Sequence, residues 1–274
     1  MTILSVDQNL CIGCEECVRD CRMNIIRMEQ EVPAIAARRE KYCIKCFHCL
    51  AVCKPGALSI HGVSPEQCTP VKGRFPALDA MEILVKGRRS VRSFSQKQVD
   101  KDLIHRLIHA ASHAPTGKNN RGLLFTVVDD ADTMRTLRTE VMEGIRETLR
   151  QGSSHPEAAF FEAALARWDD GQDIIFRGAP HLLWVTAPAT NTTAHVDPYI
   201  ALSTFELLAN SAGLGTLWCG FAKWAMADMV PQVAKRMNIP EDHHTGYVMM
   251  FGKPAIRFHR TVEHGPATIN SVRL

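Results

Sequence analysis

The sequence predicts an α+β chain in two parts, a small cysteine-rich domain at residues 1–64 and a larger mixed helix-and-strand domain at residues 77–274. Three observations predict it. Eight of the ten cysteines fall in two matching runs that end at Cys53. A stretch rich in Pro and Gly, residues 65–76, interrupts all hydrophobic periodicity. Beyond it, long helical patterns alternate with short apolar runs of strand length.

Length and composition are compatible with this division. The 274 residues exceed one average domain, so a second core can form. Hydrophobic residues make up 46% and charged residues 22%, as in ordinary globular chains, and a formal charge of +3 is too small for a nucleic-acid footprint. No nucleic-acid partner is expected. Disulfide scaffolds are short secreted chains, whereas this one opens Met-Thr-Ile-Leu-Ser-Val-Asp without a signal-peptide pattern, so a reducing cytoplasm is expected. The most apolar region, Ile200 to Val230, is broken by Glu206, Asn210, Lys223 and Asp228. It lacks the run of about 20 apolar residues that a membrane span needs, and no membrane association is expected.

In the first domain both runs have the form Cys-x-x-Cys-x-x-Cys-x-x-x-Cys. They comprise Cys11, Cys14, Cys17 and Cys21, then Cys43, Cys46, Cys49 and Cys53, each 32 residues on, which points to duplication. This spacing lets three thiolates of one short loop grip a 4Fe-4S cube while the fourth reaches another cube, so two clusters are expected. Zinc also takes thiolates, but usually as two Cys-x-x-Cys pairs with a longer spacer, which four cysteines in eleven residues match poorly. His48 occupies a spacer position and is expected at the surface or beside a cluster. Asn24–Met28 and Gly56–Ile60 are short strand candidates behind the runs. Each half therefore reads as a loop, one helical turn and a strand. Residues 1–64 hold eight Lys/Arg and seven Asp/Glu, so no strongly charged docking face is expected.

The cysteine pattern resembles the bacterial two-cluster ferredoxin domain. That family usually places Pro directly after the fourth cysteine, whereas here Arg22 follows Cys21 and the proline after Cys53 comes one place late, at Pro55. The family's crossing rule implies that Cys11, Cys14, Cys17 and Cys53 hold one cluster and Cys43, Cys46, Cys49 and Cys21 the other.

Gly62 to Pro76 reads as a linker in which Cys68 is a plain free thiol. After it, helices are expected at Leu78–Lys86, Lys101–His113, Asp132–Arg150, Pro156–Trp168 and Pro198–Ala212. Strands are expected at Leu123–Val128, Leu182–Ala187, Thr216–Cys219 and Tyr247–Phe251. No Gly-x-Gly-x-x-Gly follows a strand, so a dedicated Rossmann site is unsupported.

Three polar constellations stand out in this domain. Lys86 to Phe94 packs four cations and two hydroxyls into nine residues. It suits a solvated basic loop, or a phosphate site in which Arg forks and a Ser hydroxyl converge. Ala114 to Gly122 is rich in turn formers, yet its Asn residues pair a donor with an acceptor, as the polar edge of a flavin ring requires. Gly213 to Phe221 carries glycines that let backbone approach a flat ligand.

Together and in this order they resemble the FMN-dependent nitroreductase family, over roughly Ala80 to Thr261. The family's Arg-x-Ser-x-Arg/Lys signature for the FMN phosphate is matched by Arg88, Ser90 and Arg92, with Arg89 beside them. Its Pro-Ser/Thr-x-x-Asn motif at the isoalloxazine is matched by Pro115, Thr116 and Asn119, with Gly117 inside it. The segment passing the flavin N5 edge is matched by Trp218, Cys219 and Gly220, and a C-terminal basic pair by Arg257 and Arg260. The family often continues the Asn motif with Gln-Pro-Trp where this chain has Arg121-Gly122-Leu123, so the substrate side of the pocket is not carried over. Cys219 has no evident base beside it and reads as a small buried side chain in a backbone contact.

The resemblance implies a nitroreductase-like FMN-binding fold preceded by a ferredoxin-like two-cluster domain. It further implies a homodimer with FMN at the interface, for which the apolar helix at Pro198–Ala212 is suited. The expected activity is that of an FMN-dependent oxidoreductase. Its clusters would be loaded by reduced ferredoxin, a flavoprotein or NAD(P)H, and its FMN would pass electrons to a small-molecule acceptor such as a nitroaromatic or a quinone. A specialised reaction on the same fold (dehalogenation, alkene reduction, flavin fragmentation) is the alternative, as is a redox relay or sensor. No side chain is assigned as catalytic acid or base.

Overall fold

The computed structural model describes residues 3–273. The chain forms two compact units, one of residues up to Pro76 together with Lys118–Asn120, the other of Ala77–Gly117 and Arg121 onward.

In the first unit, β1 (Leu4–Val6) pairs antiparallel with β4 (Leu58–Ile60), placing Leu4 opposite Ile60. β2 (Ile26–Glu29) and β3 (Val32–Ile35) form a hairpin whose two turn residues, Gln30 and Glu31, have φ of 48° and 67°. Two consecutive positive φ values match the twist of the flanking strands. The short helices α1 (Glu16–Arg19) and α2 (His48–Val52) each follow a left-handed residue, Glu15 and Phe47. Ile25, Ile26, Ile35, Leu50, Leu58 and Ile60 form the core together with Cys17 and Cys49. The strands expected at Asn24–Met28 and Gly56–Ile60 are β2 and β4, shortened at their N-terminal ends.

In the second unit, α3 (Leu78–Gly87), α4 (Lys101–Ala111), β5 (Leu124–Val128), α5 (Ala131–Arg150) and α6 (Ala158–Asp169) lead to β6 (His181–Pro188). Then come α7 (Asp197–Ser211), β7 (Gly215–Trp218), α8 (Gly220–Trp224), α9 (Gln232–Arg236) and β8 (His243–Gly252). All pairings in the four-stranded sheet, ordered β5-β6-β8-β7, are antiparallel. Side chains alternate between the faces of a strand, and in β6 both faces are covered, which is why His181 to Ala187 are all buried. Leu182 and Trp184 join Met134, Ile145, Phe161 and Met226 on one side, while Leu183 and Val185 join Ile104, Leu107, Leu202 and Phe205 on the other. Each such side chain contributes roughly 1.5–3 kcal/mol of burial, which anchors the sheet as the platform for the loops above it.

Local signals set the helix ends. Asp100 caps α4 by accepting from Asp102 N at 3.1 Å, and Asp130 caps α5 by accepting from Thr133 N at 2.8 Å. Ala225–Met229 continue α8 as a wide π-type turn closed by Val230 N donating to Ala225 O at 2.9 Å, a form that recurs beside functional sites. After β8 the chain runs without regular structure, first alongside Ser93–Ser95 through Ser95 N to Lys253 O at 2.8 Å and Ala255 N to Ser93 O at 2.9 Å. Among the described residues no helix is long and apolar enough to cross a membrane.

Candidate functional site

The thiols of the first unit sort by space, not by run. One small cavity is lined by Cys11, Cys14, Cys17 and Cys53, and a second by Cys21, Cys43, Cys46 and Cys49. The electrostatics follow the same grouping. Burial raises the Cys17 thiol above its ordinary range, and the neighbouring Cys53 and Cys14 add to it. Burial pushes Cys49 up to about 12, with smaller contributions from Cys46, Cys21 and Cys43. Both shifts favour the neutral thiol, so ligation at these positions releases protons.

Loop backbone repeats along with the cysteines. Gly13 and Lys45 have φ of 64° and 52°, and Glu15 and Phe47 have φ of 60° and 58°, so each run bends through two left-handed positions around its cavity. Among the described residues no three His, Cys, Asp or Glu side chains close on a single-ion point. Four sulfurs around a space suit a cube of iron and sulfide better than a zinc ion with thiolates at ~2.3 Å. Ala57 N donates to Cys53 Sγ at 3.3 Å, and His61 Nε2 lies 3.4 Å from Cys43 Sγ. His48 is a surface residue, its Nδ1 3.1 Å from Asp20 Oδ2. Cys68 is an exposed free thiol. Asn119 also belongs to this unit, and within it Nδ2 donates to the carbonyls of Ile44 at 2.8 Å and Lys45 at 3.0 Å.

In the second unit the first and third constellations lie together. Ser90 bridges to Thr216 of β7, and Val91 N donates to Thr216 O at 2.8 Å, so Arg88 to Arg92 run beside the strand that ends at Trp218. Arg88 Nη1 reaches Glu206 Oε1 at 3.4 Å, a carboxylate only 5% exposed that also accepts from Thr216 Oγ1 at 3.2 Å. Arg89 Nη2 is buried with no hydrogen-bond partner among the described residues. Such an orphan donor beside further guanidinium groups suits an anionic ligand. Arg257 and Arg260 are exposed on the chain after β8. That chain returns to the end of α3, where Glu263 Oε1 is 3.6 Å from Lys86 Nζ and Thr261 lies beside Gly87.

Around the third constellation, Trp218 stacks on Tyr199 at 6.2 Å and 11°, with Tyr247 tilted against both. A Cβ on Gly220 would lie 3.1 Å from Tyr247 Oη, so the backbone there is tightly placed. Cys219 caps α8, its Sγ accepting from Ala222 N at 3.4 Å and donating to Ile175 O at 3.3 Å. Burial pushes this thiol up to about 11, which keeps it neutral. Of the second constellation, Gly117 N donates to Asp197 Oδ1 at 3.2 Å, and a Cβ there would run into Thr193. Thr116 Oγ1 accepts from Arg121 N at 2.9 Å, fixing the turn after Pro115. Sequence reading missed Glu206. Its one signal is a carboxylate among apolar residues in the middle of α7, nine residues after Asp197 at the helix start.

The nitroreductase family profile matches residues 85–253, and the 4Fe-4S dicluster domain profile matches residues 10–58. The nitroreductase NfnB of Mycolicibacterium smegmatis is 30% identical over 162 residues, covering 50% of this chain and 69% of that protein. The 4-nitrobenzoate reductase of a Nocardioides species is 29% identical over 205 residues, covering 65% of this chain and 81% of that protein. A crystal structure of a nitroreductase with bound FMN from Bacteroides fragilis shares the fold at a TM-score of 0.56 and 22% identity, over 71% of this chain and 100% of that one. Since the first profile spans more than half of the residues, the chain belongs to the nitroreductase family of oxidoreductases and carries a 4Fe-4S dicluster domain ahead of the family's fold.

Proposed function

We propose that the chain is an iron–sulfur flavoprotein oxidoreductase in which electrons enter at two 4Fe-4S clusters and leave through FMN to a small-molecule acceptor such as a nitroaromatic or a quinone. When bound, the clusters supply one-electron steps and the flavin supplies the two-electron transfer. The observation that carries this reading is the sorting of eight thiols into two four-thiol cavities in a chain that also holds a nitroreductase domain. The modules in this reading are residues 1–64, a linker at 65–76 and residues 77–274.

Cys11, Cys14, Cys17 and Cys53 hold one cluster and Cys21, Cys43, Cys46 and Cys49 the other. Arg88, Arg89, Ser90, Arg92 and Arg260, with Arg257 close behind, bind the FMN phosphate, and buried Glu206 fixes the fork of Arg88. Trp218 and the Gly220 backbone would line the flavin ring. Cys219, neutral and capping α8, acts by shape and not as a nucleophile. Pro115, Thr116 and Gly117 form a rigid wall. Asn119 is given to the ring by its motif alone, and its Nδ2 is engaged by the carbonyls of Ile44 and Lys45.

A second copy of the chain would cover the outer face of α7, where Tyr199, Ile200, Leu207 and Leu208 line a shallow apolar groove with Met81. Leu78, Ile83 and Val85 on α3 are also exposed and apolar. Light scattering on the purified protein should give a dimer mass. The compartment is the cytoplasm, and the donor is reduced ferredoxin, a flavoprotein or NAD(P)H. The flavin assignment is tested by Arg88→Ala/Arg92→Ala, which should purify without FMN; a fully flavinylated double variant would show the phosphate assignment to be wrong. Anaerobic turnover with nitroaromatics and quinones tests the enzyme reading, and no turnover with any small acceptor would point to a relay.

A further inference from the structure

A cavity of about 560 Å³ in the second unit is lined by Arg92, Arg138, Trp168, Asp173, Ile174 and Arg177. Three guanidinium groups meet one carboxylate there. Asp173 is already committed: Oδ2 accepts from Arg138 Nη1 at 3.3 Å and Gly178 N at 2.9 Å, and Oδ1 accepts from Phe176 N at 2.8 Å. Its charge shapes the loop and offsets Arg138. Among the described residues, no ion pair engages Arg92 or Arg177. Arg138 is 9% exposed, and its buried Nε has no hydrogen-bond partner among the described residues. Arg177 stands at φ 56°, a left-handed conformation costing about 1 kcal/mol or more that the Asp173 bonds to the loop hold in place.

The same loop touches the proposed reaction centre, since Ile175 O accepts from Cys219 Sγ, next to Gly220. Trp168 and Ile174 add an apolar wall beside the cations. Planar forks recognise a carboxylate with two parallel hydrogen bonds, and an apolar wall suits the flat body behind it.

We propose that this cavity is a recognition site for the carboxylate of a small aromatic acceptor, held by Arg177 and Arg138, while Arg92 at its border serves the FMN phosphate. The inference rests on the proposed flavin site for its placement, but the binding it claims can be measured separately. The test is calorimetric titration of the iron- and FMN-loaded full chain with benzoate and with its neutral isostere benzamide. Benzoate should bind at least about tenfold tighter than benzamide, and Arg177→Gln should remove that preference while FMN content and melting temperature hold. Arg177→Lys should restore part of it. Equal affinities in the natural protein, unchanged benzoate binding in Arg177→Gln, or a preference for inorganic phosphate over benzoate would overturn the proposal. So would loss of FMN from Arg177→Gln, which would assign these cations to the cofactor. If the natural chain holds no FMN, the flavin reading fails, and the same titration of the iron-loaded protein still decides this site.

Discussion

Paired serine variants separate crossed from uncrossed ligation of the two proposed clusters. Cys11→Ser/Cys53→Ser removes two thiols from one cavity and leaves Cys21, Cys43, Cys46 and Cys49 complete. Cys11→Ser/Cys21→Ser removes one thiol from each cavity. A 4Fe-4S cube in this kind of domain needs four thiolates, so the first pair should retain about half of the iron and sulfide and the second close to none. Ligation by run would give the reverse, because Cys11 and Cys21 share a run while Cys11 and Cys53 do not. All three positions are only partly buried, unlike Cys17 and Cys49, so the substitutions spare the packed core of the unit. Iron and acid-labile sulfide are assayed after anaerobic reconstitution, with electron paramagnetic resonance of the reduced protein to count the surviving centres. Half-loading of Cys11→Ser/Cys21→Ser with an empty Cys11→Ser/Cys53→Ser would refute the crossing.

Three further predictions concern single positions. Gly246 sits in β8 at φ 56°, where a Cβ would run into the Val185 carbonyl beside the register shift in β6; Gly246→Ala should therefore cost about 2–4 kcal/mol in urea unfolding, and a loss under about 1 kcal/mol would contradict the geometry. His181 is buried and neutral, Nε2 accepting from Val99 N at 3.1 Å and Nδ1 donating to Val128 O at 3.3 Å, and burial lowers its pKa. The unfolded chain thus binds the extra proton first, so this contribution is full above about pH 6.5 and is lost as pH falls through the lowered folded value. His181→Gln should flatten that slope in melting experiments between about pH 7 and pH 5, and an unchanged slope would count against it. His61 lies 3.4 Å from Cys43 Sγ, and an N–H donor to a ligand sulfur raises a cluster's potential; His61→Phe should lower the potential of one cluster in a redox titration and leave the other unchanged.

Much of the fold was legible because it is built from local signals. The cysteine spacing, the helical periods and the continuous apolar run of β6 all arise within a few residues of sequence. What escaped depends on distant partners. β1 is three residues long and exists because Leu58–Ile60 lie opposite it. β3 contains Pro33, which weakens a strand reading yet is tolerated in a two-stranded hairpin. β8 begins at His243, four residues before the apolar run at Tyr247, because β6 extends past its bulge to pair with the polar start. The same limit governs the site. Arg88 and Ser90 were readable as a motif, but the Glu206 carboxylate that holds Arg88 is 118 residues away. The Arg138–Asp173 pair joins an amphipathic helix to a loop without a pattern of its own. Asn119 lies in a recognisable motif, while its amide bonds to Ile44 and Lys45 follow from backbone that no local pattern predicts.

In the proposed electron path the clusters feed the flavin. Anaerobic rapid mixing of the iron- and FMN-loaded protein with reduced ferredoxin, NADH and NADPH in separate runs distinguishes the order of reduction, with cluster and flavin bleaching followed together. A one-electron donor should bleach the clusters first and the flavin after them, and Cys11→Ser/Cys21→Ser should abolish flavin reduction by that donor. Flavin bleaching ahead of the clusters, or unchanged flavin reduction in the cluster-free variant, would contradict it.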